Sequence, residues 1–219
     1  VIGIVAKDGK NLERIIAAIA NLEPEICAAL GSALPAYRWN LAWQAMISGA
    51  AASGLIGLLP LPVADFIPLV VTQSAMIIAI ARIYDYKITV QRARELIATF
   101  GIGYLGRTLF YELSKFGGVP GWLLAAAIAA STTMAMGYAS VVWFERGEKL
   151  TNENIKQISG KMTTYLLTAL NDRFKKKPSQ GNLQQEIAEA LNHYPMSQES
   201  EFNNAEIKLE GDSQEGNYE

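Results

Sequence analysis

Apolar residues along the chain fall into three long runs without a charged side chain. No Asp, Glu, Lys or Arg occurs between Trp39 and Ala64, between Phe66 and Ala81, or between Phe116 and Phe144. A helix needs about 20 mostly apolar residues to cross a bilayer, and at least two of these runs are long enough. The chain after Arg173 is almost wholly polar. The pattern predicts an apolar helical core followed by a polar tail.

A proline-rich segment separates the first two runs. Pro60 and Pro62 cannot continue a helix, and each favours an extended conformation in the residue before it. Asp65 is placed to cap the helix that follows. The sequence therefore predicts a hairpin of two apolar helices, over roughly Leu41–Leu59 and Phe66–Ile83, with the prolines at its tip.

Two of the predicted helices carry a small residue at every fourth position. The helix-packing candidates among them are Gly49, Ser53 and Gly57 in the first helix, and Gly121, Ala125, Ala129, Thr133 and Gly137 in the third run. Small residues let two helix backbones approach closely, which is the main packing mode in lipid. We expect the two stripes to pack on each other. A tightly packed helix pair in a soluble protein uses the same pattern, so both interpretations stay open.

Asp65 and Gln73 are the strongly polar groups near the tip and upper part of the hairpin. Polar groups inside a membrane are functional candidates, although a capping role explains Asp65 more simply, and Gln73 can hydrogen-bond to another helix. Basic residues lie at the base of the hairpin, at Arg38, Arg82, Lys87, Arg92 and Arg94. Positive charge there indicates that both ends face the cytoplasm.

The third run raises a conflict with this orientation. If Phe116–Phe144 also crosses the membrane, Lys175-Lys176-Lys177 lies outside, against the positive-inside rule. Either the hairpin is re-entrant, or the third run is buried against protein. An amphipathic helix is predicted after it, from Thr151, with apolar residues at Ile155, Ile158, Met162, Leu166, Leu170 and Phe174.

The N-terminal residues predict a different kind of structure from the apolar helices. Val1–Val5 is β-branched and predicts a buried strand, and a helix follows from about Leu12 to Leu22. One strand cannot satisfy its own backbone groups, so the sequence predicts a sheet upstream of residue 1. The first residue, Val1 rather than Met, is what a processed product or a fragment would show.

These patterns divide the chain into three regions. The predicted fold class is mainly α. A strand-helix unit over residues 1–23 precedes a membrane-associated helical domain over 24–177, which contains the hairpin and a third apolar helix. Residues 178–219 are expected to form a polar, largely disordered tail, with one short helix over Leu183–Leu191.

Composition excludes several classes of function. The net charge of −2 offers no clustered basic surface for nucleic acid. A single Cys27 and a single His193 provide neither a disulfide nor a zinc-ligand cluster, and a Ser-His-Asp site would have to recruit His193 from the tail. No phosphate-binding GxxxxGK[ST] motif occurs. The sequence therefore predicts no catalytic residue, no cofactor and no metal site in this chain.

The proline-rich segment and its surroundings resemble a known bacterial family. Leu59-Pro60-Leu61-Pro62-Val63-Ala64-Asp65, followed by Gln73, Met76 and Ile80-Ala81-Arg82-Ile83-Tyr84, is similar to the signature of a domain of unknown function, the six-nine-seven family. Further matches follow in order up to Trp143-Phe144-Glu145, and the resemblance covers roughly residues 24–150. Members typically lie C-terminal to an Era-like small GTPase domain.

Val1–Ile19 in turn resembles the last strand, loop and helix of an Era-like G domain. A Ser-Ala-Lys loop contacts the guanine base in such domains, and the corresponding loop here is Val5-Ala6-Lys7. Ala6 and Lys7 are thus candidate remnants of a guanine-binding loop, although Val5 replaces the usual Ser. The P-loop, the switch regions and the Asn-Lys-x-Asp motif are absent from this sequence, so the resemblance implies GTP as the cofactor of a parent protein only.

We therefore expect a membrane-associated anchoring or effector module of an Era-like GTP-binding protein, not catalytic by itself, at the cytoplasmic face of a bacterial inner membrane. Its expected partners are membrane lipid, the upstream G domain and a second copy bound through the small-residue faces, but not nucleic acid. The alternative is a soluble all-α protein-interaction domain whose apolar helices pack on one another.

Overall fold

The structure, a computed structural model, describes residues 15, 16, 18, 26–58, 67–99, 118–171, 173–174 and 178–195. These residues form seven α-helices and no strand, so the predicted mainly α class is confirmed for them. The helices are α1 (Cys27–Ala33), α2 (Arg38–Gly57), α3 (Ile67–Ile83), α4 (Val90–Thr99), α5 (Gly121–Arg146), α6 (Asn152–Asn171) and α7 (Gln180–Asn192), and a 3₁₀ turn over Pro35–Tyr37 precedes α2. The predicted strand lies outside the described residues.

Local sequence sets where several helices begin and end. The hydroxyl oxygens of Thr89, Thr151 and Ser179 accept hydrogen bonds from backbone N–H groups three residues later, which caps α4, α6 and α7. Pro120 directly precedes the first residue of α5, where the missing N–H of proline costs no helical hydrogen bond. Gly147 ends α5 with a φ of +75°, a conformation that glycine adopts without steric cost.

Helix α5 lies at the centre of the bundle. Every residue from Ala126 to Val142 is buried, between α2, α3 and α6. Its serine and threonine side chains are tolerated there because their hydroxyl groups donate to carbonyl oxygens of the same helix, as Thr132 does to Ile128 and Ser140 to Met136. A helix that is apolar on all sides is expected to be buried on all sides.

The predicted hairpin is present as an antiparallel pair, α2 and α3. Arg38 at the start of α2 contacts Asp85 just beyond α3, and Gly49 lies beside Met76 near the middle of both helices. Helix α5 is antiparallel to α2 as well, because Met46 lies beside Gly137 and the end of α2 beside the start of α5. The three apolar segments thus pack on one another.

Two amphipathic helices complete the bundle on the far side of α2 and α5. The predicted apolar positions of α6 from Ile155 to Leu170 are buried. In α7, Leu183, Ile187 and Leu191 are buried, and the helix packs on α2 and α6. Burying a side chain of this size stabilises by about 1.5–3 kcal/mol. The packed region therefore includes α7 and reaches Tyr194.

Candidate functional site

The outer side of α3 is apolar and exposed to solvent. Ile67 exposes 69% of its surface and Val71 exposes 50%. Ala75 is exposed one turn later, and half-buried Ile78 continues the row at helical spacing. No charged residue precedes Arg82 in this helix, and the row extends over about 17 Å. We call Ile67, Val71, Ala75 and Ile78 the α3 face.

Positive charge lies at one end of the α3 face. Arg82 lies in the last turn of α3, Lys87 follows in the loop, and Arg94 lies in α4, which packs on α3. All three are exposed, and none forms an ion pair with another residue in the described part of the chain. Tyr86 and Val90 beside them expose 48% and 50% of their surfaces. We call Arg82, Lys87 and Arg94 the basic end.

The two acidic residues of this region have other partners. Asp85 pairs with Arg38 of α2, and Glu95 pairs with Arg92 at 2.9 Å. Arg92 in addition lies over the ring of Trp143 in α5. The basic end is therefore not neutralised by the acidic residues closest to it in sequence.

Asp85 also holds three segments together. Its carboxylate accepts hydrogen bonds from the Ser32 hydroxyl in α1 and from the Arg38 guanidinium in α2. Arg38 Nε donates at 2.9 Å to the carbonyl oxygen of Gly31. Asp85 has a φ of +63°, in the left-handed region that Asn and Asp enter more readily than other non-glycine residues. We call Ser32, Arg38 and Asp85 the clasp.

Sequence reasoning misses the clasp. The sequence pattern places Arg38 at the base of the hairpin only as a positive charge, and it assigns Asp85 no role. The signal that could have found the clasp is Asp85 itself, because an Asp directly after a helix is a frequent choice for a left-handed turn. Its partners lie about 50 residues earlier, and no local pattern indicates them.

Gln73 connects α3 to α5 through a buried hydrogen bond. Its Nε2 donates to Thr133 Oγ1 at 3.2 Å, and the Thr133 hydroxyl donates to the carbonyl oxygen of Ala129 at 2.8 Å. The expected hydrogen bond of Gln73 to another helix is thus present. Gln73 Oε1 and Ser53 Oγ are buried without a hydrogen-bond partner among the described residues, and such a group typically costs about 1–3 kcal/mol.

Parts of the two small-residue stripes meet where the end of α2 passes the start of α5. A Cβ atom on Gly57 would lie 2.8 Å from the carbonyl oxygen of Ala125 and 3.0 Å from Ala129 Cβ. The two backbones approach so closely because glycine and alanine occupy the contact.

The other stripe glycines have different neighbours. Gly49 faces Met76 of α3 rather than α5, and a Cβ atom added to Gly49 would lie 2.9 Å from the Met76 sulfur. Gly137 of α5 faces the Met46 side chain of α2, and Gly121 faces open space. The α2 stripe therefore contacts two helices, and methionine side chains fill the space beside two of the glycines.

Helix α5 is the one helix in the described ranges that is long and apolar enough to cross a membrane. Its most apolar window is 94% buried inside the protein, and the core helix of a soluble protein passes the same test. Helix α6 runs antiparallel beside it and exposes Lys161 close to the contact between Thr163 and Ser131. A bilayer around α5 would also surround Lys161, at a cost of about 3 kcal/mol. Burial against protein therefore accounts for the apolarity of α5.

A shallow uncharged groove of about 300 Å³ lies between α2 and α7. The residues that line it are Gln44, Ile47, Ser48, Ala51, Gly181, Gln184, Gln185 and Ala188. Ser48 supplies the one hydroxyl group of this lining, and no acid or base among the described lining residues is placed to activate it as a nucleophile.

Several predicted site residues lie outside the described part of the chain, namely Ala6, Lys7, Pro60, Pro62 and Asp65. Among the described residues, no group of three or more His, Cys, Asp or Glu side chains is placed to hold a metal ion. Burial raises the pKa of the Cys27 thiol, which disfavours the reactive thiolate.

Comparison with known proteins gives a family but no relative of known activity. The model of a family described as "Domain of unknown function (DUF697)" matches residues 41–168, which is more than half of the chain. The match begins in α2 and ends in α6, so it contains α3, α4 and α5. No curated protein and no solved structure matches the chain.

Proposed function

The chain belongs to the DUF697 family, and we propose that it is a membrane-associated helical module that binds a bilayer through the α3 face. In this proposal it anchors an upstream Era-like GTP-binding domain and has no catalytic activity of its own. The observation that carries the proposal is the apolar row of the α3 face, which is exposed from Ile67 to Ala75 and half-buried at Ile78, and which has no charged residue in α3 before Arg82.

Core packing does not explain this row. The opposite side of α3 buries Met76, Ile77 and Ile80 against α2 and α5, so α3 is apolar on both sides but buried on one. An exposed apolar surface of this extent is typical of interaction sites. A helix that is charged at one end and apolar along the rest of its exposed side suits insertion into the headgroup and acyl-chain region.

The residues directly before α3 are also mostly apolar. Residues 59–66, which lead into α3, contain a single charged residue, Asp65, two prolines and five other apolar residues, Leu59, Leu61, Val63, Ala64 and Phe66. Helix α3 has 17 residues and is about 25 Å long, less than the roughly 30 Å of a hydrocarbon core. Insertion from one side, rather than a complete crossing by α3, fits these dimensions.

The proposed orientation puts the basic end toward the cytoplasm. Arg82, Lys87 and Arg94 follow the apolar row, as the positive-inside rule expects for basic residues that remain on the cytoplasmic side of a bacterial inner membrane. The link to a G domain rests on the resemblance of Val1–Ile19. The clasp supports it mechanically, because it ties α1, at the start of the bundle, to the end of α3.

Flotation of the full chain with liposomes tests the proposal. We expect the chain to float with vesicles, and the double variant Ile67→Asp/Val71→Asp to bind roughly tenfold more weakly or worse, because two charges enter the contact surface. The matched control is Thr164→Asp/Thr168→Asp, which adds the same charges to two exposed positions of α6. The control should float like the parent. Failure of the parent chain to float, or equal loss in both variants, contradicts the proposal.

One observation favours the alternative, a soluble all-α protein-interaction domain. The apolar window of α5 is buried by the bundle itself, as in the core of a soluble protein. This function predicts a chain that is monodisperse without detergent and that stays at the bottom of the gradient, away from the vesicles, in the same flotation experiment.

A further inference from the structure

We infer that the α3 face selects anionic membranes, because Arg82, Lys87 and Arg94 at its basic end contact lipid phosphate groups. This inference rests on the proposed function and names the lipid class that the surface binds. It adds a requirement that the apolar row alone does not impose, since aliphatic side chains do not distinguish charged from zwitterionic headgroups.

The position of Arg82 links the two parts of the surface. It lies eleven residues after Val71 and four after Ile78, on the same side of α3. When the Ile67 end lies deeper in the acyl-chain region, the guanidinium of Arg82 extends to the headgroups, as long basic side chains do at membrane interfaces. The helix therefore enters with a tilt, with its charged end at the phosphate level.

The charges nearby make this end attractive to anions. Asp85 is held in the clasp and Glu95 pairs with Arg92, whereas the three residues of the basic end have no acidic partner among the described residues. The other end of the bundle differs, because Arg173 is paired with both Glu186 and Glu189. A guanidinium donates two parallel hydrogen bonds to a phosphate, which suits Arg82 and Arg94 to this contact.

Exposed side chains beside the basic residues fit the same interface. Tyr86 and Val90 lie between Arg82 and Arg94 in sequence and are exposed. The Tyr86 ring contacts the Phe144 ring of α5, with 5.1 Å between the ring centroids, so it is held at the surface. Tyrosine is enriched at the level of lipid headgroups because it combines an apolar ring with a polar hydroxyl.

Vesicle binding by the full chain tests the inference. The probes are vesicles of phosphatidylcholine alone and of phosphatidylcholine with phosphatidylglycerol as a substantial minority of the lipid. A basic residue near an anionic surface contributes about 1 kcal/mol, or about fivefold in affinity. We therefore expect binding on the order of a hundredfold tighter to the anionic vesicles, and most of this preference to disappear at high ionic strength.

Two matched variants locate the effect. Arg82→Gln/Lys87→Gln should reduce the anionic preference by about 25-fold. The control Lys161→Gln/Arg173→Gln also removes one Lys and one Arg, from exposed residues away from the basic end, and should leave the preference close to that of the parent. Adding Arg94→Gln to the first variant should remove most of the rest. Far-UV circular dichroism and urea unfolding of each variant establish that it remains folded.

The outcomes separate this inference from the proposed function. Equal binding of the parent to both vesicles overturns the inference and leaves the proposed function standing, whereas binding to neither overturns both. An equal effect of the two double variants shows that net charge alone is responsible, which also overturns the inference. If inorganic phosphate displaces the chain more strongly than chloride at the same ionic strength, the basic end is a site for the free ion rather than for a lipid surface, and the inference is wrong.

Discussion

Helices α3 and α6 flank the same central helix but have different outer sides. On their buried sides, both carry large apolar side chains, Met76 in α3 and Met162 in α6 among them. Away from α5, α6 exposes Lys161, Thr164 and Thr168, whereas α3 exposes the apolar row of the α3 face. The apolar inner sides are required for the helices to pack into a bundle. The outer side of α3 is the part that folding does not explain.

If the inner sides are equivalent, equal truncations on the two helices should cost similar amounts. We expect Met76→Ala and Met162→Ala each to lower the free energy of unfolding by about 2–5 kcal/mol, since each leaves a cavity in the buried core. Urea unfolding followed by circular dichroism measures this. If Met76→Ala alone loses less than about 1 kcal/mol, well below the range for such truncations, α3 is loosely attached to the bundle. The buried sides of α3 and α6 would then not be equivalent.

The ends of the two helices should differ in sensitivity. Asp85→Ala removes the clasp and puts alanine at a φ of +63°, so we expect a loss of about 1–2 kcal/mol. Asp85→Asn keeps a residue that tolerates this conformation and should lose less. Arg173→Ala at the end of α6 removes an exposed ion pair, and its urea midpoint should match that of the parent. A larger effect at Arg173 than at Asp85 contradicts the role given to the clasp.

The smallest effect concerns the outer sides. Without lipid, Val71→Asp and Thr164→Asp should each change the free energy of unfolding by no more than about 0.5 kcal/mol, because both positions are exposed. The melting temperature of each variant checks this. A large destabilisation by Val71→Asp would mean that the α3 face is part of the folded core, and its loss of flotation would then say nothing about lipid.

Much of the helix pattern could be predicted from the sequence. The charge-free runs predict α2, α3 and α5, and the periodicity from Ile155 to Leu170 predicts α6. These predictions hold because backbone propensity and side-chain period act within a few residues. A short helix in the polar tail is also expected from the sequence, but its docking on α2 is not, since three buried apolar positions do not indicate which surface covers them.

The sequence by itself determined that this chain is mainly α and that its central helices are apolar on every side. Tertiary structure decided which of those sides face protein. In α3 and α5 the apolar residues are not confined to one side of the helix. Such a helix fits a protein core and a lipid environment equally well, so its sequence does not distinguish the two. Only packing showed that α5 is enclosed while α3 exposes Ile67, Val71 and Ala75. The clasp likewise depended on the fold, because Asp85 and Arg38 become neighbours only when α2 and α3 pair.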